Sequence, residues 1–285
     1  MRPSAYALIL STLVVGCGGG DRPVPIDPVL ERHSRAGHAA ISLDQPAQAI
    51  RQYSEALARD DAAAIGNLAF NLAVAQMQAG QSEAALLTFR DTSTELTRRH
   101  ETVPAALQLA GATALYRLGR LPEADAAAAP IEAASDRDTA MRAAFLRGLI
   151  ADDNGDAVRL RAAAARLAVA QEPEGLADQH ELAARLALRD RDPGRARAEA
   201  ERAATLRREL LDYRALARCL ALAARAAEQN KDIAAAADLY LRAGRSAAAQ
   251  GEKGWARQWL LRAISLGQDA AFSAEARASL AAIDK

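Results

Sequence analysis

LERHSRAGHAAISLDQPAQAIRQYSEALARDDAA, residues 30–63, decides how the rest of the chain is read. Two segments with helical apolar spacing flank a break at Asp44-Gln45-Pro46. Small residues stand at Gly37, Ala49 and Ala56, and one large ring at Tyr53. When two helices fold back on each other, small side chains let the backbones approach and a ring fills the seam. The stretch therefore predicts a helical hairpin.

The same pattern recurs. Taking Ala49 as reference, its counterparts are Ala85, Ala124, Leu160, Ala196 and Ala236, at steps of 36, 39, 36, 36 and 40 residues. Four positions later stand Tyr53, Phe89, Ala128, Ala164, Ala200 and Tyr240; twelve positions earlier stand Gly37, Ala73, Ala112, Gly148, Ala184 and Ala224. Gly80, Gly119 and Gly155 fall where a helix should end in a left-handed cap. A near-constant step of this size means stacked units, none able to bury its apolar face alone.

Gly37, Ala49, Tyr53 and Ala56, with their repeats, resemble the tetratricopeptide repeat (TPR), a helix-turn-helix of about 34 residues. The match is partial: the Trp, Leu and Tyr of the family's first helix are here His33, Ala36 and Ala40. A related helical repeat fits the same spacing. The resemblance implies an all-α, right-handed α-solenoid of about seven helix-turn-helix pairs over residues 29–285.

Composition agrees with that expectation. Apolar residues make up 51% and aromatics only 4%, so the core must rely on Ala, the best helix former. Alternating β-branched runs bounded by turn dipeptides are almost absent. Thirty-six basic and 36 acidic residues give zero formal net charge, so no global field favours nucleic acid.

The first seventeen residues, MRPSAYALILSTLVVGC, join a basic start to an apolar run too short for a bilayer span of ~20 residues. Val14-Val15-Gly16-Cys17 resembles the bacterial lipobox. The resemblance implies a signal peptide over 1–16, a diacylglyceryl and acyl anchor on Cys17, and outer-membrane sorting, since Gly18 replaces the Asp that favours retention in the inner membrane. Residues 17–28 read as the lipidated Cys and its Gly- and Pro-rich tether. Lipidation of Cys17 leaves Cys219 without a disulfide partner, and its apolar helix (213–227) predicts a buried thiol.

Along the chain, Ser82 is the expected N-cap of a helix to Thr97, and Pro130 should end another. About fourteen helices are expected. After Arg208 the pattern runs in two phases, because Gly244, Ala256 and Leu260 repeat it only 20 residues after Ala236.

Catalytic spacings fail. His180-Glu181 lacks a second His at Ala184, and Asp152, Asn154 and Asp156 lack the glycine and bidentate acid of a calcium loop. Nucleophile-elbow and phosphate-loop motifs are missing. No enzyme, cofactor or metal site is expected. The TPR resemblance instead implies a concave groove lined by first helices that holds a protein or peptide. Carried over, its positions are Phe70, Asn71, Val74 and Met77; Leu109, Thr113 and Tyr116; Phe145, Leu149 and Asp152; Glu181, Arg185 and Arg189; and Arg218, Leu222 and Arg225. The groove would pass from apolar to Arg-rich, and Arg suits carboxylates. Charge reversal at Arg185, Arg189 and Arg225 is expected to weaken capture without lowering thermal stability. Asn71 alone matches the family's carboxylate clamp, whose lysines are missing, so that clamp is not expected. The implied role is a scaffold for secretion, pilus, barrel-assembly or cell-wall machinery. The alternative, a small-molecule or glycan binder, would need convergent aromatics that this chain has in short supply.

Overall fold

The structure, a computed structural model, describes residues 28–59, 65–267 and 270–283. The expected signal peptide, Cys17 and almost all of the expected tether lie outside the described residues. Fourteen α-helices and one short 3-10 helix make up the described secondary structure, without a strand. No described helix is long and apolar enough to cross a membrane. The chain divides into two compact units, Met1–Ala134 and Ser135–Lys285.

The first unit holds α1 (Pro28–Ser42), α2 (Pro46–Leu57), α3 (Ile65–Gln78), α4 (Ser82–Arg98), α5 (Ala105–Arg117) and α6 (Leu121–Ala128). Each helix packs on the next, and α3 also packs directly on α5. The opening stretch forms the expected hairpin. Ala49 and Ala56 are fully buried and Tyr53 nearly so. A Cβ on Gly37 would lie 2.6 Å from the Tyr53 ring, so only glycine admits the ring at that distance. Ser82 is not the cap of α4: Gln81 takes that place without a side-chain bond, and Ser82 is the first helical residue. Pro130 acts as expected, because α6 stops at Ala128 and tightens into the 3-10 turn Ala129–Ala133.

The second unit holds α7 (Arg137–Asp153), α8 (Ala157–Leu167), α9 (Pro173–Arg189), α10 (Pro193–Glu209), α11 (Tyr213–Gln229), α12 (Ile233–Ala249), α13 (Lys253–Leu266) and α14 (Ala270–Ile283). Pro173 and Pro193 sit in first turns, where the missing N–H needs no partner. Four of the turns share one design. A residue with positive φ (Gly155, Arg191, Leu211 or Lys231) is followed by an Asp that caps the next helix. In the α10–α11 turn the Asp212 N–H closes the old helix on the Arg207 carbonyl (2.9 Å), while its carboxylate accepts the Ala215 N–H (3.1 Å).

Helices α7, α9 and α11 pack on one another as one layer, with α8 and α10 as the returning helices. Beyond α11 the layer changes. Direct packing passes from α12 to α14, and α12 also packs closely on both α11 and α13. Its doubled signature explains this. Tyr240 stands sixteen residues after Ala224 and answers α11, while Gly244 stands sixteen before Leu260 and receives it, with a Cβ there only 2.6 Å from Leu260 Cγ. Helix α12 is thus second in one hairpin and first in the next.

Candidate functional site

A buried charge network runs through the α7–α9–α11 layer. Glu181 is fully buried and accepts from Arg218 Nε and Nη2 (3.1 and 3.2 Å) and from Arg185 Nη2 (3.1 Å). Arg185 Nη1 also donates to Asp152 (2.8 Å), and Arg189 Nε donates to the other oxygen of that carboxylate (2.6 Å). One layer away, Arg207 of α10 donates to Asp178 and to Asp212 (3.3 Å), its guanidinium 6.0 Å from the centre of the Phe145 ring. Four carboxylates (152, 178, 181, 212) therefore meet four guanidiniums (185, 189, 207, 218). Burial pushes the Glu181 carboxyl up, but Arg218 and Arg185 overcome it and hold the group at about 2. For Asp178 burial prevails over Arg207 and raises the carboxyl to about 6.

These pairs change the reading of the Arg-rich half. Arg185, Arg189 and Arg218 spend their charge on carboxylates of their own chain. Arg185 is 8% exposed, so reversing its charge would set three buried carboxylates together, and the expectation that reversal spares stability does not hold there. In the apolar half, Asn71, Met77 and Leu149 are buried in helix seams, and the Met77 carbonyl accepts from Arg117 (2.7 Å). Asn71 Nδ2 faces His38 Nε2 at 3.4 Å. Phe70 and Phe145 are half-buried. Val74, Leu109, Thr113 and Tyr116 keep part of their surface in solvent. Asp156, from the calcium-like spacing, is the cap of α8. Among the described residues no cluster of His, Cys, Asp and Glu could hold a metal ion. Cys219 is fully buried, 3.8 Å from a Glu181 oxygen.

Arg225 differs from Arg185, Arg189 and Arg218. It lies two turns beyond Arg218 on α11 and is exposed, and no carboxylate of the described chain pairs with it. It opens into a cleft of about 830 Å³ between α11 and α13, floored by Tyr240 of α12. Trp259 and Leu261 of α13 form the apolar wall, Leu261 half exposed. Glu228 bridges the two sides, accepting from Arg262 Nε (3.2 Å) and from the Tyr240 hydroxyl (3.3 Å). Sequence reasoning placed Arg225 on the groove and missed its surroundings. The available signal was that both tryptophans of the chain, Trp255 and Trp259, stand one turn apart on α13, with ring centres 5.7 Å apart.

No protein-family model and no curated protein matches the chain. Solved structures do. A tetratricopeptide repeat protein of Parabacteroides merdae superposes with a TM-score of 0.50 at 15% identity, over 91% of this chain and all of the other. The TPR2AB-domain:pHSP90 complex of yeast Sti1 gives 0.36 at 17% identity, over 90% and 98% of the two chains. A TPR repeats protein of Bacteroides fragilis gives 0.31 at 14% identity, over 90% and 97%. With the hairpin seams and left-handed turns described above, the first of these likenesses establishes the fold: the chain is an all-α repeat protein with the tetratricopeptide-repeat architecture.

Proposed function

We propose that this protein is a non-catalytic adaptor that holds a protein or peptide partner beside a membrane in the bacterial envelope. The observation that carries the binding half is the α11–α13 cleft, where an unpaired guanidinium stands beside exposed apolar surface. Exposed apolar surface next to an uncompensated charge is what a partner covers. The anchoring half rests on the lipobox-like Val14-Val15-Gly16-Cys17 followed by Gly18. Several acyl chains on Cys17 give lasting attachment, and the tether keeps the repeats near the lipid. A tethered scaffold works by raising local concentration, so its partner belongs to a secretion, pilus, barrel-assembly or cell-wall machine. Crosslinking in intact cells followed by mass spectrometry tests the reading. A reproducible envelope protein partner, lost to the soluble fraction with Cys17→Ser, is the expected result. A C17S chain that stays with the membrane removes the anchor, and a chain that captures no protein removes the adaptor.

A further inference from the structure

We infer that the α11–α13 cleft takes an extended peptide segment in which a carboxylate side chain neighbours a bulky apolar one, the carboxylate pairing with Arg225. The inference rests on the adaptor reading and names the chemistry of its partner. Charge is the first argument. The cleft contains Arg225, Arg262 and Glu228, and Glu228 is already committed to Arg262 and the Tyr240 hydroxyl. Among the described residues one positive charge of the cleft remains, on Arg225, whose fork geometry suits a carboxylate. Shape is the second. The cleft is a broad, open groove rather than an enclosing cavity, which suits a segment laid across it better than a small metabolite that must bury most of its surface. Wall chemistry is the third. Tyr240, Trp259 and Leu261 offer apolar surface to an aliphatic or aromatic side chain. A neutral sugar could use the Gln229, Gln258 and Ser265 side chains that also line the cleft, but it would leave the Arg225 charge unanswered. Nucleic acid would need several free cations along a track, and Arg185, Arg189 and Arg218 beside the cleft's helix are neutralised.

Both tryptophans lie on α13, so the cleft carries its own reporter. The probes are three capped heptapeptides, GSELFEG, GSKLFKG and GSEGGEG, with chitotetraose as the sugar arm, titrated into the full-length protein. Trp259 emission should shift with GSELFEG, at least tenfold more weakly with the other two peptides, and not with the sugar. Raising the salt should weaken the response. Arg225→Glu should lose GSELFEG binding at least tenfold and gain GSKLFKG, with an unchanged melting curve because the side chain is exposed. Equal response to the acidic and basic peptides, unchanged binding by R225E, saturation by the sugar, or no response to any peptide at millimolar concentration each overturns the assignment. Crosslinked capture in cells separates the two levels: a partner still captured by R225E sinks the cleft alone, whereas no captured partner sinks the adaptor reading.

Discussion

Replacing Glu181 with Gln should unfold the second unit at a markedly lower temperature. The carboxylate is fully buried and receives three guanidinium N–H groups at 3.1–3.2 Å. A hydrogen bond to a charged group nets about 1.5–3 kcal/mol, and removing one partner of a buried pair costs about 3–5 kcal/mol. Gln keeps the shape and one acceptor, and Arg185 keeps Asp152. Arg218, by contrast, loses the charge that both of its bonds address. The lower end, about 3 kcal/mol, is therefore expected. At about 2–4 °C per kcal/mol for a unit of this size, the midpoint should fall by roughly 6–12 °C. Tryptophan fluorescence follows the second unit alone, because both indoles are on α13. The acid limb supplies a second readout. Glu181 is held at about 2, below its usual 4.5, so its stabilisation is complete above about pH 4.5 and drains away as pH falls towards 2. The gap between wild type and E181Q should close over that range. Replacing Glu181, Arg185 and Arg218 together by Met should cost far less than E181Q, because no charge is stranded. An E181Q midpoint within 1–2 °C of wild type at pH 7, or a gap undiminished at pH 3, would refute the reasoning.

Leu211 holds φ at 59°, a conformation that costs a side-chain-bearing residue roughly 1 kcal/mol. Leu211→Gly should raise the urea midpoint by the equivalent of about 0.5–1 kcal/mol, while Gly155→Leu at the matching turn should lower it. Cys219 is buried, and burial foremost pushes its thiol well above the usual range. Ellman's reagent should therefore label it only at the rate of local unfolding, with full labelling within seconds in urea. Gly37→Ala would set a methyl 2.6 Å from the buried Tyr53 ring, costing about 1–3 kcal/mol in the first unit. That variant should leave the tryptophan-detected transition of the second unit unmoved.

The seams were legible because glycine or alanine opposite one large side chain is a sequence pattern with one steric meaning. Gly37–Tyr53 and Gly244–Leu260 share a sixteen-residue spacing, and both close as that spacing requires. The turns were half legible. Gly80, Gly119 and Gly155 announced positive φ, whereas Arg191, Leu211 and Lys231 reach it without glycine, held by the Asp cap that follows. The site was misread where charge was judged one helix at a time. Arg185, Arg189 and Arg218 form a basic face only until the preceding hairpin is stacked beside them. Their carboxylates stand 33, 37 and 37 residues earlier, close to one repeat step. Charge pairs sought at the repeat period, rather than within helices, would have revealed the network.

The place of that network follows from the composition of the seams around it. Helices faced with Ala can slide past one another by a turn and meet Ala again, so apolar packing alone fixes their register weakly. A buried carboxylate with guanidiniums from two helices does not tolerate such a slip, because any shift strands a charge out of water. The ladder of pairs from Asp152 through Glu181 to Arg218 thus sets the stacking of α7, α9 and α11. The ladder passes Arg225 by. The position 37 residues earlier, which holds Asp152 for Arg189 and Glu181 for Arg218, is Leu188 for Arg225, and α13 reaches α11 with an arginine, Arg262 on Glu228, rather than a carboxylate. A partner's acidic side chain would supply to Arg225 what the preceding repeat supplies to Arg189 and Arg218.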